Sequence, residues 1–243
     1  MRRFLVLLIS CWLIATPALA ACTLDPANIG ANIALSGTNL TWTSSSTSGT
    51  SGAATGNAGY LGGSGSTNFS YLLYMEETVV ATSGGHGAGF GISTTSPNLA
   101  NVLGSGVGAN IGIGLYADGT VIYNNAGDGT LFSVTNGTVV GVAVDFFHQK
   151  IWWRGPNNTT PWNNDILANQ NPATNTGGIV ATSGAPFGSS GAYSTVVPAF
   201  GNSGTSGNSA TFNFTGPFTY AVPAGFGPWC GASNDNVLFR MTP

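Results

Sequence analysis

The stretch GTVVGVAVDFFHQKIWWRG, residues 137–155, decides the fold class of this 243-residue chain. Within it Val140, Val142, Val144 and Phe146 alternate with Gly, Ala and Asp, which is the period of a β-strand with one apolar face. The His-Gln pair that follows allows the chain to reverse into a second apolar strand over residues 150–154. The stretch therefore predicts a β-hairpin, and its strongly apolar face favours a place at the centre of a sheet.

The rest of the chain has the same character, because short runs rich in β-branched and aromatic residues alternate with Gly, Ser, Asn and Pro. No segment shows apolar residues at helical spacing over more than two turns. Asp118-Gly119 indicates a tight hairpin turn, since glycine tolerates the positive φ angle that such a turn requires. The predicted strands cover residues 40–43, 71–81, 89–93, 111–116, 120–123, 139–146, 150–154, 195–200, 210–214 and 237–241. The chain is predicted to be all-β.

Five further motifs place the central stretch in a wider pattern. They are YMEETV at 74–79, GAGFGI at 87–92, GLYADGTVIYNN at 114–125, NPATNTGGI at 171–179 and FNFTGPFTYAVPAGFGPW at 212–229. Together with residues 137–155, in this order, they resemble the SPRY family, in particular SPRY-like proteins of bacteria and phages. The resemblance runs from Asn68 to Trp229.

The resemblance implies a single bent antiparallel β-sandwich of the concanavalin-like type. It also implies an interaction module that binds partners through loops at one end of the sandwich, and it brings no catalytic residues. The chain departs from the family at the hairpin turn, where Phe147, His148 and Gln149 replace a polar, turn-forming sequence. The partner domains that often accompany SPRY domains in animals are absent, so no role in ubiquitin transfer is inferred.

Length and composition favour one folded domain. Residues 1–20 are predicted to be a signal peptide, 21–67 to be N-terminal strands and a Ser/Gly-rich loop packing on the sandwich, 68–230 to be the SPRY-like sandwich, and 231–243 to hold a C-terminal strand. Residues 44–66 and 201–208 are mostly Ser, Thr, Gly and Asn, so they are predicted to be flexible surface excursions.

The amino terminus has the features of an export signal: two arginines, a short apolar run, and the small-residue sequence Ala18-Leu19-Ala20. The apolar run is too short to span a membrane, so a secreted, periplasmic or envelope protein is expected. Removal of the signal would leave Cys22 and Cys230, which would form one disulfide in an oxidising compartment. The alternative is a lipoprotein, because residues 19–22 also match a lipobox that would attach lipid to Cys22.

Charge is scarce in this chain, with 5 basic and 8 acidic residues. After removal of the signal the basic residues are Lys150, Arg154 and Arg240, which gives a net charge of 3 − 8 = −5. Nucleic acid is therefore excluded as a partner, because phosphate neutralisation requires clustered Lys and Arg.

The residues that catalysis or metal binding requires are few and scattered. His86 and His148 have no neighbouring nucleophile in sequence, and the cysteines and histidines lack zinc-ligand spacing. Glu76 and Glu77 form the one adjacent carboxylate pair, but neighbouring strand residues point to opposite faces, which disfavours a glycosidase. No enzyme activity, cofactor or metal is predicted. A calcium site built from Asp118, Asp128 and Asp165 stays open.

The loop after the central hairpin holds the candidate ligand-binding residues. They are Trp153, Arg154, Trp162, Asn163, Asn164 and Asp165. Trp and Asn side chains suit either a protein partner or a glycan, through ring stacking and amide hydrogen bonds. In the structural alternative Trp152 points into the sandwich and Trp162 closes one end of the core; Trp42, Trp229 and Phe226 are expected in packing. The sequence favours a non-catalytic protein-binding module, with a lectin-like module or a structural, adhesive surface protein as alternatives.

Overall fold

The computed structural model describes residues 23–46, 50–55, 72–94, 99–105, 112–123, 126–157, 159, 161–180 and 196–230. The predicted signal peptide, Cys22 and the predicted strand at 237–241 lie outside the described residues. Cys230 is buried, at 8% exposure, and its disulfide with Cys22 stays a prediction.

The described part of the chain is built from short strands and two 3₁₀ turns. The strands, in chain order, are β1 (Thr23–Ile29), β2 (Ile33–Ser36), β3 (Thr41–Ser44), β4 (Thr50–Thr55), β5 (Leu72–Ala81), β6 (Gly87–Thr94), β7 (Gly112–Tyr116), β8 (Thr120–Tyr123), β9 (Ala126–Thr130), β10 (Val139–Asp145), β11 (Lys150–Arg154), β12 (Ile179–Val180), β13 (Val196–Ser203), β14 (Ser209–Asn213) and β15 (Gly227–Pro228). The 3₁₀ turns cover Trp162–Asn164 and Pro172–Thr174. The predicted all-β class is confirmed.

Two sheets form a sandwich. The first has the strand order β1-β4-β13-β6-β7-β8-β9, and the second has the order β12-β11-β10-β5-β14-β3-β2. Neighbours along both orders are antiparallel, while β15 adds a parallel contact to β5. Nine of the ten predicted strands coincide with β3, β5, β6, β7, β8, β10, β11, β13 and β14.

Large aromatic side chains fill the space between the sheets. Trp42 of the second sheet stacks on Phe200 of the first at a centroid distance of 4.6 Å, and both are fully buried. Val140, Val142 and Val144 of β10 belong to the same core, as their alternation predicts.

Both predicted hairpins are present. In the β10–β11 hairpin Val142 lies opposite Trp153 and Asp145 opposite Lys150, so the turn falls on the residues at which the sequence departs from the SPRY pattern. Gln149 takes a φ of +57° there. The hairpin is not central, however: β11 is second from the edge of its sheet, because β12 beyond it has two residues.

Two segments predicted to be flexible excursions contain ordered structure. Residues 50–55 form β4, which pairs with both β1 and β13 and so lies inside the first sheet. Within residues 201–208, Asn202 and Asn208 are fully buried, and an Asn208 Nδ2–H donates to Asn202 Oδ1 at 2.7 Å. Composition was misleading because small polar residues also suit close strand pairing and buried hydrogen-bond networks.

Glu76 and Glu77 point to opposite faces of β5, as predicted. Glu77 faces the space between the sheets, where it is 1% exposed and its Oε1 accepts a hydrogen bond from Trp42 Nε1 at 3.0 Å. Its other oxygen, Oε2, has no hydrogen-bond partner among the described residues. Burial in this apolar core raises the pKa of Glu77 well above its usual value, and the Trp42 hydrogen bond lowers it by less.

Candidate functional site

The two tryptophans of β11 lie on opposite faces of the second sheet. Trp153 points into the main core, is fully buried, and donates from Nε1 to the carbonyl of Phe90 at 3.2 Å. Trp152 points outward, where it packs with Tyr74, Trp162 and Phe226 in a second apolar cluster. The expectation that Trp152 enters the sandwich was therefore wrong. Trp153 cannot stack on a ligand in this position, so it is removed from the candidate surface.

The segment after β11 folds back over the outer face of the second sheet. Trp162 is 7% exposed, and its ring meets the ring of Tyr74 edge-on at 6.4 Å. Asn163 is equally buried; its Oδ1 accepts from the main-chain N–H of Trp153 at 2.8 Å, and its Nδ2 donates to Gln170 Oε1 at 3.1 Å. These two predicted ligand-binding residues instead brace the segment of residues 161–170, called here the 161–170 loop.

Arg154, the last residue of β11, is half-buried between aromatic rings. Its guanidinium carbon lies 5.7 Å from the ring centroid of Trp162 and 5.3 Å from that of Tyr220. Contacts of this kind attract a cation to the electron-rich ring face without removing its charge. The predicted pairing of Arg154 with Trp162 is thus present in space, and the sequence gave no sign of Tyr220.

A buried carboxylate next to this cluster holds the carboxyl-terminal segment in place. Glu76 Oε1 accepts from the hydroxyl of Tyr74 at 2.9 Å and from the main-chain N–H of Tyr220 at 2.7 Å. Its Oε2 accepts from the main-chain N–H of Thr219 at 2.7 Å. Burial, followed by the charge of Glu76, raises the pKa of Tyr74 far above its usual value, so its phenol stays protonated. Glu76 therefore acts as a structural anchor beneath the site.

The solvent-facing side of the 161–170 loop carries the residues that a partner can reach. Asn164 is exposed and donates from Nδ2 to the carbonyl of Leu131 at 3.0 Å. Asp165 is half-buried and accepts from Ile166 N and from Asn169 Nδ2. Ile166 and Leu167 are 62% and 61% exposed. Sequence reasoning missed this aliphatic pair; its signal is an Ile-Leu dipeptide in an Asn-rich loop, outside any strand pattern.

Each histidine is paired with an aspartate near a hairpin turn. His86 Nδ1 lies 2.7 Å from Asp118 Oδ2, and His148 Nδ1 lies 2.6 Å from the buried Asp145. Burial raises the pKa of Asp118 slightly, but hydrogen bonds from Thr120 and His86 outweigh it, so the pKa falls below its ordinary value. The Ser133 hydroxyl donates to the main chain of Asp118 and not to a histidine.

The described residues contain no group of three or more His, Cys, Asp or Glu side chains that could hold a metal ion. The side chain of Asp128 is not among those described, so the calcium hypothesis stays untested. No helix in the described ranges is both long and apolar enough to cross a membrane.

Comparison with known proteins identifies the architecture. No family model matches the sequence, and no curated protein matches it. The structure resembles the SPRY domain of human HERC1 with a TM-score of 0.50 and 14% identity, over 78% of this chain and 96% of that domain. The TRIM65 PSpry domain (TM-score 0.48, 13% identity, 79% of this chain and 89% of that one) and a human SPRY domain (TM-score 0.47, 18% identity, 77% and 98%) are also similar. The fold is SPRY-like.

Proposed function

We propose that this SPRY-like sandwich is an exported, non-catalytic module that binds a protein partner through the 161–170 loop. The observation that carries the proposal is the exposure of Ile166 and Leu167, at 62% and 61%, on a loop whose base is fixed by buried Trp162 and Asn163. The resemblance to SPRY domains, a family mainly of interaction modules, supports the same reading.

The physical argument rests on preorganisation. An exposed aliphatic side chain gains about 25 cal/mol for each Å² of apolar surface that a partner covers. A loop already held by hydrogen bonds from Asn163 to Trp153 and Gln170 loses little conformational entropy when it binds. The pair Ile166 and Leu167 can therefore serve as an anchor, whereas the same residues on a loose loop would spend much of that gain on ordering.

A protein partner fits better than a glycan. Sugar stacking requires an open ring face, and Trp162 is 7% exposed with Arg154 and Tyr74 against its ring. The lectin-like alternative would have to use Phe147, whose ring is 62% exposed at the β10–β11 turn. The adhesive alternative requires the chain to associate with itself.

Non-catalytic behaviour has two supports in the geometry. Glu76 and Glu77 lie on opposite faces of β5 and cannot flank one substrate, as a pair of glycosidase carboxylates must. His86 and His148 are each oriented by an aspartate, as in a catalytic triad, but the Ser133 hydroxyl beside Asp118 is directed to main chain.

Replacing Leu167 with serine is expected to weaken partner binding by 20-fold or more, because losing a covered leucine side chain costs about 2 kcal/mol. Affinity capture from the extracellular fluid of the source culture, read by quantitative mass spectrometry, measures the effect. Val80→Ser is the matched control, since Val80 is also an exposed aliphatic, at 51%, but lies on β5.

At least one protein should be captured by the wild type and by Val80→Ser, and be depleted with Leu167→Ser. Equal recovery by all three chains would reject the loop as the binding surface. Glycan-array binding that depends on Phe147 would support the lectin-like alternative, and concentration-dependent dimers in light scattering would support the adhesive one.

Export is part of the proposal and has its own test. Mass spectrometry of the mature protein is expected to find Ala21 at the amino terminus and, in a non-reducing digest, a cross-linked peptide joining Cys22 to Cys230. A lipid-modified Cys22 would instead establish the envelope-anchored form. An uncleaved amino terminus in the native host would refute export.

A further inference from the structure

The positive charge of the described residues is concentrated on one strand. Lys150 and Arg154 are the cationic Lys and Arg side chains in these ranges, and both are half-buried on the outer face of β11. Four residues along a strand place them on the same face, about 13 Å apart. The chain as a whole is acidic, with a net charge of −3, so this pair stands out against its surroundings.

Aromatic rings and main-chain groups fix both cations. Lys150 Nζ lies 5.9 Å from the ring centroid of Trp152 and donates to the carbonyl of Asn175 at 3.0 Å. Arg154 lies against Trp162 and Tyr220. Neither kind of contact neutralises the charge, and both reduce the number of rotamers that binding would otherwise have to freeze.

The acidic side chains nearby are engaged with other donors. Glu76 accepts three hydrogen bonds, from Tyr74, Thr219 and Tyr220. In the 161–170 loop, Asp165 accepts from Ile166 N at 2.7 Å and from Asn169 Nδ2 at 3.1 Å. These carboxylates have their hydrogen-bonding capacity largely satisfied by uncharged groups, which leaves the two cations able to attract an external anion.

We infer that the protein partner presents an acidic segment, with carboxylates placed against Lys150 and Arg154 and an apolar residue against Ile166 and Leu167. This inference rests on the proposed function. A guanidinium held by rings presents a planar set of donors that matches a carboxylate, and a lysine at a fixed distance adds a second point of recognition. On an otherwise acidic protein such a pair also orients the approaching partner.

Selection from a displayed random peptide library on the full mature chain tests the inference. Selected peptides are expected to be enriched in Asp and Glu together with one aliphatic residue. Their affinity, measured with synthetic copies, should fall about 10-fold with Lys150→Gln and more with Arg154→Gln, and should weaken as NaCl rises from about 50 to about 300 mM. Asp165→Asn should tighten binding, because it removes a like charge.

The controls separate a binding effect from a folding effect. Lys150→Gln is the decisive variant, since it keeps the side-chain length and leaves the contacts of Arg154 with Trp162 and Tyr220 in place; its Tm should match that of the wild type. Peptides without acids that depend on Leu167 but not on Lys150 would overturn the inference and keep the proposed function. Failure to select any peptide, or binding of acidic polysaccharide in place of peptide, would contradict both.

Discussion

Asn208→Ala is expected to lower the free energy of unfolding by about 3 kcal/mol. Asn208 is fully buried; its Oδ1 accepts from Ser83 N at 2.7 Å, and its Nδ2 donates to Asn202 Oδ1 at 2.7 Å. Alanine removes both bonds and leaves the buried Asn202 oxygen without its donor. For a domain of this size the corresponding fall in Tm is about 10 °C, which calorimetry or circular dichroism can measure.

The size of the effect comes from the network to which Asn208 belongs. Asn202 Nδ2 donates in turn to Ser44 Oγ at 3.0 Å, and the Asn208 carbonyl accepts from Ser44 N at 2.9 Å. The β13–β14 connection is thereby tied to β3 and to the residues after β5. Because the partners share this network, Asn202→Ala and Asn208→Ala combined should cost less than the sum of the two.

Asn169→Ala is the matched control, since Asn169 is exposed and its side chain bonds to Asp165 alone among the printed contacts of the loop. Its unfolding free energy should change by less than about 0.5 kcal/mol. Equal, small losses for Asn169→Ala and Asn208→Ala would show that the buried network contributes no net stability.

The fold was predictable where the strand pattern carries apolar residues. Alternation in residues 139–154 and the Asp118-Gly119 turn predicted two hairpins that the structure contains. Residues 50–55 were missed because Thr, Ser, Gly and Ala give no alternation, although their backbone pairs on both sides. Asn202 and Asn208 were missed for the same reason: polarity predicts exposure unless the partners that satisfy a buried amide are known.

The site was predictable in part. Sequence placed Arg154 and Trp162 in one surface, and they do meet. Alternation establishes that Trp152 and Trp153 face opposite ways, but it does not say which faces the second sheet, since apolar residues cover both sides of β11. Tyr220 could not be found from spacing, because it approaches Arg154 only once the chain has folded.

Glu77→Gln is expected to make stability less dependent on pH. Burial raises the folded-state pKa of Glu77, so above about pH 4.5 the unfolded chain releases a proton that the folded chain keeps. The unfolding free energy then falls by about 1.4 kcal/mol for each pH unit until the folded-state pKa is reached. Glutamine keeps the Oε1 acceptor for Trp42 Nε1 and has no proton to lose.

The two chains should therefore be about equally stable near pH 5, and the variant should gain on the wild type as the pH rises. Urea unfolding at pH 5, 6, 7 and 8 measures the difference. Asp118 does not confuse the comparison, because its lowered pKa places its contribution in more acidic solution and both chains retain it. Parallel stability profiles would mean that Glu77 is already ionised in the fold, with a donor reaching Oε2. A sandwich that keeps a neutral acid beside Trp42 should be at its most stable in mildly acidic surroundings.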